Sequence, residues 1–335
     1  MPRTNGNIRI QVVVVVVGTA LMGLKFLAWR ITHSNAVLSD AFESIVNVVT
    51  GCFALYSLVL AAKPRDREHP YGHGKVEFIS AGIEGALVGI AGIAILVRAV
   101  LALVRGHEVH ELGDGIVLIA LAGAVNLVMG LVLRHRGRRS GSITLEAGGA
   151  HLLSDAWSSG AMLIGLLLIL FTGRQWLDAL FALAFGAFIL LQGVRVLRRS
   201  VAGIMDETDM VVAAEVVAIL EQERHPDWVD LHNFRVIKFG TTLHIDCHVT
   251  LPWYYPLEQA HDRIALMERL VNARYDRDVE LFIHMDPCLP TSCAICALDD
   301  CPVRKQAFRR RVTWTLATVL ANAKHGLDDD GGARA

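Results

Sequence analysis

This chain contains few charged residues. Only 19% of its 335 residues are charged, whereas soluble domains contain about 25%, and 53% of its residues are hydrophobic. Its formal net charge is −1, so it lacks the basic excess with which proteins bind nucleic acids. The composition gives no support to a nucleic-acid partner and predicts a protein embedded in a lipid bilayer.

Several informative patterns are also missing. No H-E-x-x-H, G-x-S-x-G or Walker A run occurs, so the sequence does not indicate an enzyme of the classes that these motifs mark. The six cysteines are spread unevenly: Cys52 lies in an apolar block, Cys247 in a more polar part, and four crowd together beyond it. This distribution is not that of a secreted disulfide scaffold.

Six apolar blocks are present, each near the roughly 20 residues that a membrane-spanning helix needs. They cover about 8–30, 35–62, 76–104, 114–134, 143–172 and 176–197. The first follows basic residues, but it is too long for a signal-peptide core and no small-residue cleavage site follows, so we expect a retained helix. The pattern predicts an α-helical membrane domain of six transmembrane helices over residues 1–205.

The distribution of Lys and Arg predicts the orientation of these helices. Basic residues cluster between the second and third blocks, between the fourth and fifth, and at the end of the sixth, whereas none lies between Thr32 and Asn35. Because basic loops remain in the cytoplasm, we expect both termini there. The protein is then expected in a plasma membrane, the inner membrane of a bacterium, with everything after about residue 200 in a reducing compartment.

From residue 206 the long apolar runs give way to amphipathic and alternating segments. Their order is helix, strand, strand, helix, strand, which predicts a small cytoplasmic α+β domain over residues 206–287. The remaining residues, 288–335, comprise a Cys-rich segment, a basic tail predicted to be helical over roughly 303–324, and a predicted disordered end.

Two pairs of metal-capable side chains lie at i, i+4 spacing within the apolar blocks: Glu43 with Asn47, and His151 with Asp155. Four residues apart on an α-helix means the same face, so two such helices could surround one ion. Polar groups at membrane depth are costly and usually functional. Asp40 is expected beside the site as a supporting hydrogen-bond partner. The alternative is that these groups only bridge helices.

Several motifs then occur in one order along the chain. They are S-D-A-x-x-E-S-x-x-N in the second block, K-P-R-D-R-E-H-P-Y-G-H-G-K-V-E before the third, H-L-x-S-D in the fifth, and H-M-D-P at the end of the α+β domain. With these motifs the chain resembles the cation diffusion facilitators over about residues 8–287. The resemblance implies six transmembrane helices, a ferredoxin-like, metallochaperone-like cytoplasmic domain, a homodimer, and transport of divalent metal ions.

The resemblance also implies that Glu43, Asn47, His151 and Asp155 form a tetrahedral transport site. Well-studied zinc members have Asp at the position of Asn47. An asparagine oxygen is neutral and cannot be deprotonated, which makes it a weaker and harder donor than a carboxylate. Zinc selectivity is therefore open, and cobalt, nickel, iron, manganese and cadmium remain candidates.

Further sites follow from the same resemblance. Asp66 and His73, with His69 between them, match a shallower site at the cytoplasmic entrance, unless they form only a solvated turn before a helix. Positions that match regulatory metal sites of the cytoplasmic domain are His232, His248, His261, His284 and Asp286. Ordinary surface histidines are the alternative there. Lys75 and Asp206 are expected to pair at the membrane–cytoplasm junction.

The late cysteines, Cys288, Cys293, Cys296 and Cys301, have x4, x2 and x4 spacing. The Cys-x-x-Cys core suits zinc, although the flanking spacings are not those of a standard zinc finger. A four-thiolate metal site, a redox pair and free reduced thiols all stay open.

Ligand chemistry predicts how transport is driven. Metal binding needs neutral imidazole and ionised carboxylates, so protons and metal compete for the same atoms. Histidine suits this exchange because its unperturbed pKa is about 6.5. We therefore predict metal/proton antiport by alternating access. The alternatives are a membrane-embedded metal sensor or scaffold and, with less support, a metal-dependent intramembrane enzyme.

Overall fold

The computed structural model describes residues 2–32, 35–105, 115–172, 176–239, 242–274 and 279–327. The chain divides into two compact units, Met1–Met205 and Asp206–Ala335.

The first unit is built from helices. Within its described residues these are α1 (Pro2–Thr32), α2 (Asn35–Ala61), α3 (Val76–Arg105), α4 (Gly115–Ser140), α5 (Ile143–Thr172) and α6 (Trp176–Ile204). Each predicted apolar block is thus a helix. In the described part of the chain, three segments are long and apolar enough to cross a membrane: Asn5–Leu27, Ser44–Ala61 and Val76–Leu101. The count of six membrane spans stays a prediction.

Helices α3 and α6 approach each other through glycines. A Cβ added at Gly92 would lie 2.6 Å from the backbone nitrogen of Leu190, and one added at Gly193 would overlap the backbone nitrogen of Gly89. Small residues allow helix backbones to come this close, and such packing is a main source of helix association in membranes.

The substitution Gly193→Ala is expected to destabilise the first unit, because the new methyl group must push α3 and α6 apart. Overpacking of this kind costs about 1–3 kcal/mol. The melting temperature of the detergent-solubilised protein measures the effect. Gly160→Ala is the matched control, since a Cβ there meets none of the described atoms within 4 Å. Equal melting temperatures for the two variants would contradict the close packing.

The second unit is a small α+β fold in the predicted order. It contains α7 (Met210–Gln222), β1 (Asp230–Phe239), β2 (Thr242–Leu251), α8 (Leu257–Arg274) and β3 (Val279–Pro287). Strand β2 is central, antiparallel to β1 and parallel to β3. Because successive strand residues point to opposite faces, one face of the sheet carries the apolar core and the other can carry polar side chains.

A β-bulge interrupts β1 around Asn233, whose φ of 52° is left-handed. In an unbroken strand Leu231 and Phe234 would point to opposite faces, but the extra residue lets both be buried in the core. The Asn233 N–H then donates to the Ala321 carbonyl at 2.7 Å. The bulge therefore provides a docking point for the end of the chain.

The prediction of a helix over roughly 303–324 is wrong. Within the described residues, the only helix there is α9 (Leu316–Val319). The described tail is otherwise irregular because its side chains pack into the core of the second unit: Val312 and Trp314 are buried, and Arg224 donates to the Val312 carbonyl at 2.6 Å. These contacts replace the bonds that a helix would make within itself. The predicted disordered end lies, from residue 328, outside the described residues.

Candidate metal centres

Helices α2 and α5 bring three members of the predicted transport quartet together. Asn47 on α2 faces His151 and Asp155, which are one turn apart on α5. The Nε2 of His151 is 2.8 Å from Asn47 Oδ1, and Asn47 Nδ2 donates to Asp155 Oδ2 at 2.9 Å. His151 Nε2 and Asp155 Oδ2 are 3.8 Å apart. Three metal-capable groups therefore converge between two helices.

Two other residues predicted at this centre have no described side chain. The backbones of Asp40 and Glu43 belong to α2, but their side chains lie outside the described part of the structure. The role of Asp40 as a neighbour of the transport site and the role of Glu43 as a ligand stay predictions.

The hydrogen bonds fix where one proton sits. An amide oxygen can only accept, so His151 Nε2 carries the proton that it donates to Asn47. The buried Nδ1 of His151 has no hydrogen-bond partner among the described residues. An ion that binds Nε2 would have to displace this proton. In a neutral ring the proton can move to Nδ1, so binding releases a proton only when the ring is charged beforehand.

A small cavity adjoins this centre between α1, α2, α4 and α5. Its volume is about 50 Å³, which exceeds the roughly 10–15 Å³ that one water molecule needs. The wall is largely apolar, and its polar side chains are Lys25, Ser44, Asn47 and Asn126. The space beside Asn47 is therefore large enough for water or a small ion.

The segment between α2 and α3 gathers the predicted entrance residues. Asp66 Oδ1 lies 3.1 Å from His69 Nδ1, and Asp66 Oδ2 lies 3.3 Å from His73 Nε2. All three offer ligand atoms within 4.8 Å of one another. The backbone N–H of His69 and the charges of both histidines hold the pKa of Asp66 below its ordinary value, so the carboxylate is ionised at neutral pH. The pairing of Lys75 with Asp206 stays a prediction.

The sheet of the second unit gathers a second trio. The register puts His232 opposite His248, and His248 opposite His284, with Asp286 two residues further along β3. Asp286 Oδ2 lies 3.2 Å from both His232 Nε2 and His248 Nδ1. These three offer ligand atoms within 4.8 Å of one another. His284 Nε2 lies at the rim, 3.7 Å from Asp286 Oδ1, whereas His261 is exposed on α8 and lies outside the trio.

A carboxylate behind this trio was not predicted from the sequence. Asp230 Oδ2 lies 3.2 Å from His232 Nδ1, and Asp230 Oδ1 lies 2.6 Å from the Nδ1 of His325 in the tail. Burial favours the neutral acid, but the two histidines outweigh it and hold the pKa of Asp230 below its ordinary value. Such a carboxylate orients a metal-binding imidazole. The sequence pattern that could have identified Asp230 is its Asp-x-His spacing with His232, which puts both side chains on one face of the strand.

The tail brings a positive charge to the same trio. The Nζ of Lys324 donates to the Pro287 carbonyl at 2.8 Å and lies 3.8 Å from Asp286 Oδ1. This ammonium group would repel a metal ion bound at Asp286.

Two buried acids of α3 were also missed. Glu77 accepts a hydrogen bond from the Ser142 hydroxyl, and Glu84 is buried with its Oε2 unpaired among the described residues. Glu84 lies beside Gly148 of α5, about one turn before His151. The sequence pattern that could have identified these two acids is an ionisable residue within an apolar block, the same pattern that identified the transport residues.

The four late cysteines follow β3 in a largely irregular segment. None forms a disulfide, and no three of their sulfur atoms, all of which are described, lie within 4.8 Å of one another.

Comparisons with known proteins match most of the chain. The family model of the cation efflux transmembrane domain covers residues 11–205, and that of the cation efflux protein cytoplasmic domain covers residues 209–288. The chain is 34% identical over 271 residues to an uncharacterized transporter of Synechocystis sp., covering 79% of this chain and 87% of that protein.

Two further relatives carry the name cation-efflux pump FieF. The pump of Salmonella paratyphi A is 27% identical over 291 residues, and that of Citrobacter koseri is 26% identical over 300 residues. Each match covers 86% of this chain and 96% of the relative. Residues beyond 288 lie outside both family models.

Proposed function

The chain belongs to the cation efflux family of membrane transporters, and we propose that it exports a divalent transition-metal ion in exchange for protons, through a site on α2 and α5. Members of this family transport metal cations and are not enzymes, and their cytoplasmic domain forms dimers. The protein is accordingly a membrane-embedded metal-cation exporter with a dimer-forming cytoplasmic domain.

The convergence of Asn47, His151 and Asp155 supports this site most directly. Glu43, one turn before Asn47 on the same face of α2, would complete a four-ligand shell. With neutral His151, the two carboxylates carry two negative charges and balance one divalent ion. A shell filled by protein ligands leaves no open position for a catalytic water, which suits transport rather than hydrolysis.

Proton exchange would use the same atoms. Metal binding at His151 Nε2 would release one proton from a charged ring, whereas in a neutral ring the Nε2 proton would move to Nδ1. A protonated carboxylate of the site would also release its proton, and the Asn47 amide must release Asp155 Oδ2. When the site opens to the other side, protonation of His151 and a carboxylate would expel the ion. Each cycle would then carry metal in one direction and protons in the other.

We further propose that all six helices of the first unit cross the membrane, with both termini in the cytoplasm. The basic loops support this orientation, and it puts the family's cytoplasmic domain in the compartment that its name requires. The expected location is the inner membrane of a bacterium.

The two clusters outside the transport site would serve different steps. Asp66, His69 and His73 would hold the ion briefly at the cytoplasmic entrance. His232, His248 and Asp286 would hold a regulatory ion that stabilises the dimer, because an ion that binds one form preferentially favours it. Their imidazole and carboxylate ligands suit zinc and its neighbours in the first transition series.

Transport by the purified protein in lipid vesicles tests the proposal. Uptake of zinc, cobalt, nickel, iron, manganese and cadmium is measured under an imposed pH gradient, with a pH-sensitive dye inside the vesicles. Antiport predicts that the lumen becomes more alkaline as metal enters. Uptake without a change in lumen pH would contradict proton coupling, and metal binding without uptake would favour a sensor.

The substitution Asn47→Asp is expected to shift transport toward zinc, by about 10-fold relative to manganese, because it restores the ligand set that the zinc members resembled by this chain have at this site. The ratio of zinc to manganese uptake in the same vesicles measures the shift. Asn126→Asp is the matched control, since Asn126 lines the adjoining cavity without belonging to the convergent trio. An unchanged ratio in Asn47→Asp would mean that this side chain does not ligate the ion.

The substitution His248→Ala is expected to remove the regulatory ion, because two groups of the trio cannot hold it alone. Zinc content should fall by one ion per chain, and the metal-dependent part of dimerisation should disappear in light scattering. His261→Ala is the control, since this histidine is exposed on α8 outside the trio. Equal zinc content in both variants would contradict a site at His248.

A further inference from the structure

The segment after β3 lies beyond both family models and has an unusual structure. Residues 289–315 contain, in the structure described, a single regular element, the 3-10 helix Pro290–Ala294. The segment is nevertheless packed, since Ile295, Cys296 and Val312 are buried against Val229. Irregular segments longer than about 12–15 residues are uncommon in compact domains and are often functional. Because this apolar cluster is small, an additional interaction would increase the stability of the segment.

The four thiols lie within this one packed segment. Cys288, Cys293 and Cys301 are half-buried, Cys296 is buried, and none of them forms a disulfide. Cys293 and Cys296 stand at Cys-x-x-Cys spacing, with one further cysteine on each side. Thiolates are soft ligands that bind zinc in exchange for their protons.

Two neighbouring residues donate hydrogen bonds to this segment. The Lys305 N–H donates to Cys293 Sγ at 3.4 Å. The Arg304 guanidinium donates to the carbonyls of Cys293 and Cys296, at 3.1 and 3.3 Å, and to that of Leu298. The Arg304 guanidinium thus holds together the backbone that carries Cys293 and Cys296.

We propose that Cys288, Cys293, Cys296 and Cys301 bind one zinc ion in a closed structural site that takes no part in transport. Zinc accepts four thiolates in a tetrahedron, and the Cys-x-x-Cys pair supplies its core. Sulfur atoms about 2.3 Å from zinc lie roughly 3.8 Å from one another, so binding must draw the thiols together.

The ion would fasten the tail to the second unit. Downstream of the cysteines, the chain returns to the sheet, where Ala321 meets Asn233 and His325 meets Asp230. Loss of the ion is therefore expected to loosen residues 289–327 without removing any ligand of the three other centres.

Cobalt is the probe that separates this site from the others, because zinc has no absorption bands of its own. The full-length protein in detergent is reduced, stripped of metal and titrated with Co²⁺. We expect a sulfur-to-cobalt charge-transfer band, which the nitrogen and oxygen ligands of the other centres cannot produce. The band should be lost in Cys293→Ser and Cys296→Ser, and zinc content should fall by one ion per chain. Cys52→Ser and Cys247→Ser are the matched controls and should keep both.

Thiol alkylation of the wild-type chain provides a test that does not depend on a variant folding. Zinc should protect four cysteines together and leave the reactivity of Cys52 unchanged. Bound cobalt without the charge-transfer band would overturn the proposal, as would disulfides among the four thiols in protein prepared under reducing conditions. Iron and sulfide bound in place of zinc would overturn it as well.

Discussion

Replacement of Asp155 by asparagine is expected to lower proton-driven metal uptake into vesicles by at least about 100-fold, since even changes behind a ligand shell cost about 10- to 100-fold in affinity or activity. The variant keeps the volume of the side chain but removes its charge. The site would then hold a divalent ion with one carboxylate at most, at a depth where uncompensated charge is costly. The one oxygen that the asparagine side chain keeps could still accept from Asn47 Nδ2, as Asp155 Oδ2 does at 2.9 Å, so the loss of charge is the main effect of the substitution.

Ser159→Ala is the control for this prediction. Ser159 lies one turn further along α5, and its hydroxyl donates to the Asp155 backbone carbonyl at 3.0 Å, so the variant alters the neighbourhood but leaves the carboxylate in place. It should retain most of the flux. If Asp155→Asn transported metal as fast as Ser159→Ala, the ion path would have to run elsewhere, and the convergence of α2 and α5 would be structural only.

The second large effect concerns stability, and we expect it on replacement of Arg224 by methionine. Arg224 Nε donates to the Trp228 carbonyl at 3.2 Å, Nη2 to that of Val229 at 2.7 Å, and Nη1 to that of Val312 at 2.6 Å. Its guanidinium also lies 3.9 Å from the ring centre of Trp314. Methionine fills the space but leaves three buried carbonyls unpaired, so the second unit should lose about 3–5 kcal/mol, at about 1–3 kcal/mol for each unsatisfied acceptor.

Hydrogen exchange of the β1 amides in the full-length protein, followed over a denaturant series, measures this loss. Arg235→Met is the control, because Arg235 is exposed on the same strand, and its effect should stay within about 0.5 kcal/mol. Arg224→Lys should be almost as damaging as Arg224→Met, because an ammonium group cannot reach three carbonyls in the fixed geometry of a guanidinium. Wild-type stability in Arg224→Lys would show that charge alone matters there.

The sequence was informative wherever a local pattern decides the structure. Each apolar block became a helix because its length and composition leave few alternatives, and the spacing of His151 and Asp155 determines that both face the same way. Sequence spacing could not show how Asn47 orients its amide between them. That depends on how α2 and α5 pack, which is a tertiary property.

The tail shows the opposite case. Its basic residues favour a helix locally, yet burial of Val312 and Trp314 and the bonds of Arg224 prevail over local propensity. The role of Asp230 was hidden for a related reason: its histidine partner His325 lies 95 residues away in the chain. Of the five predicted cytoplasmic positions, His261 shows that a family position alone does not place a side chain in a cluster.

The return of the tail to the sheet also affects how this protein can be divided. The family signature of the cytoplasmic domain ends at residue 288, but the core continues through Trp314 and Val319. A chain cut at 288 would expose Val229 and leave Asn233 without its carbonyl partner. The module that recombination or engineering could exchange with a relative is therefore the whole second unit, including the tail. Two relatives that align only over the family signature could not exchange their cytoplasmic domains at residue 288.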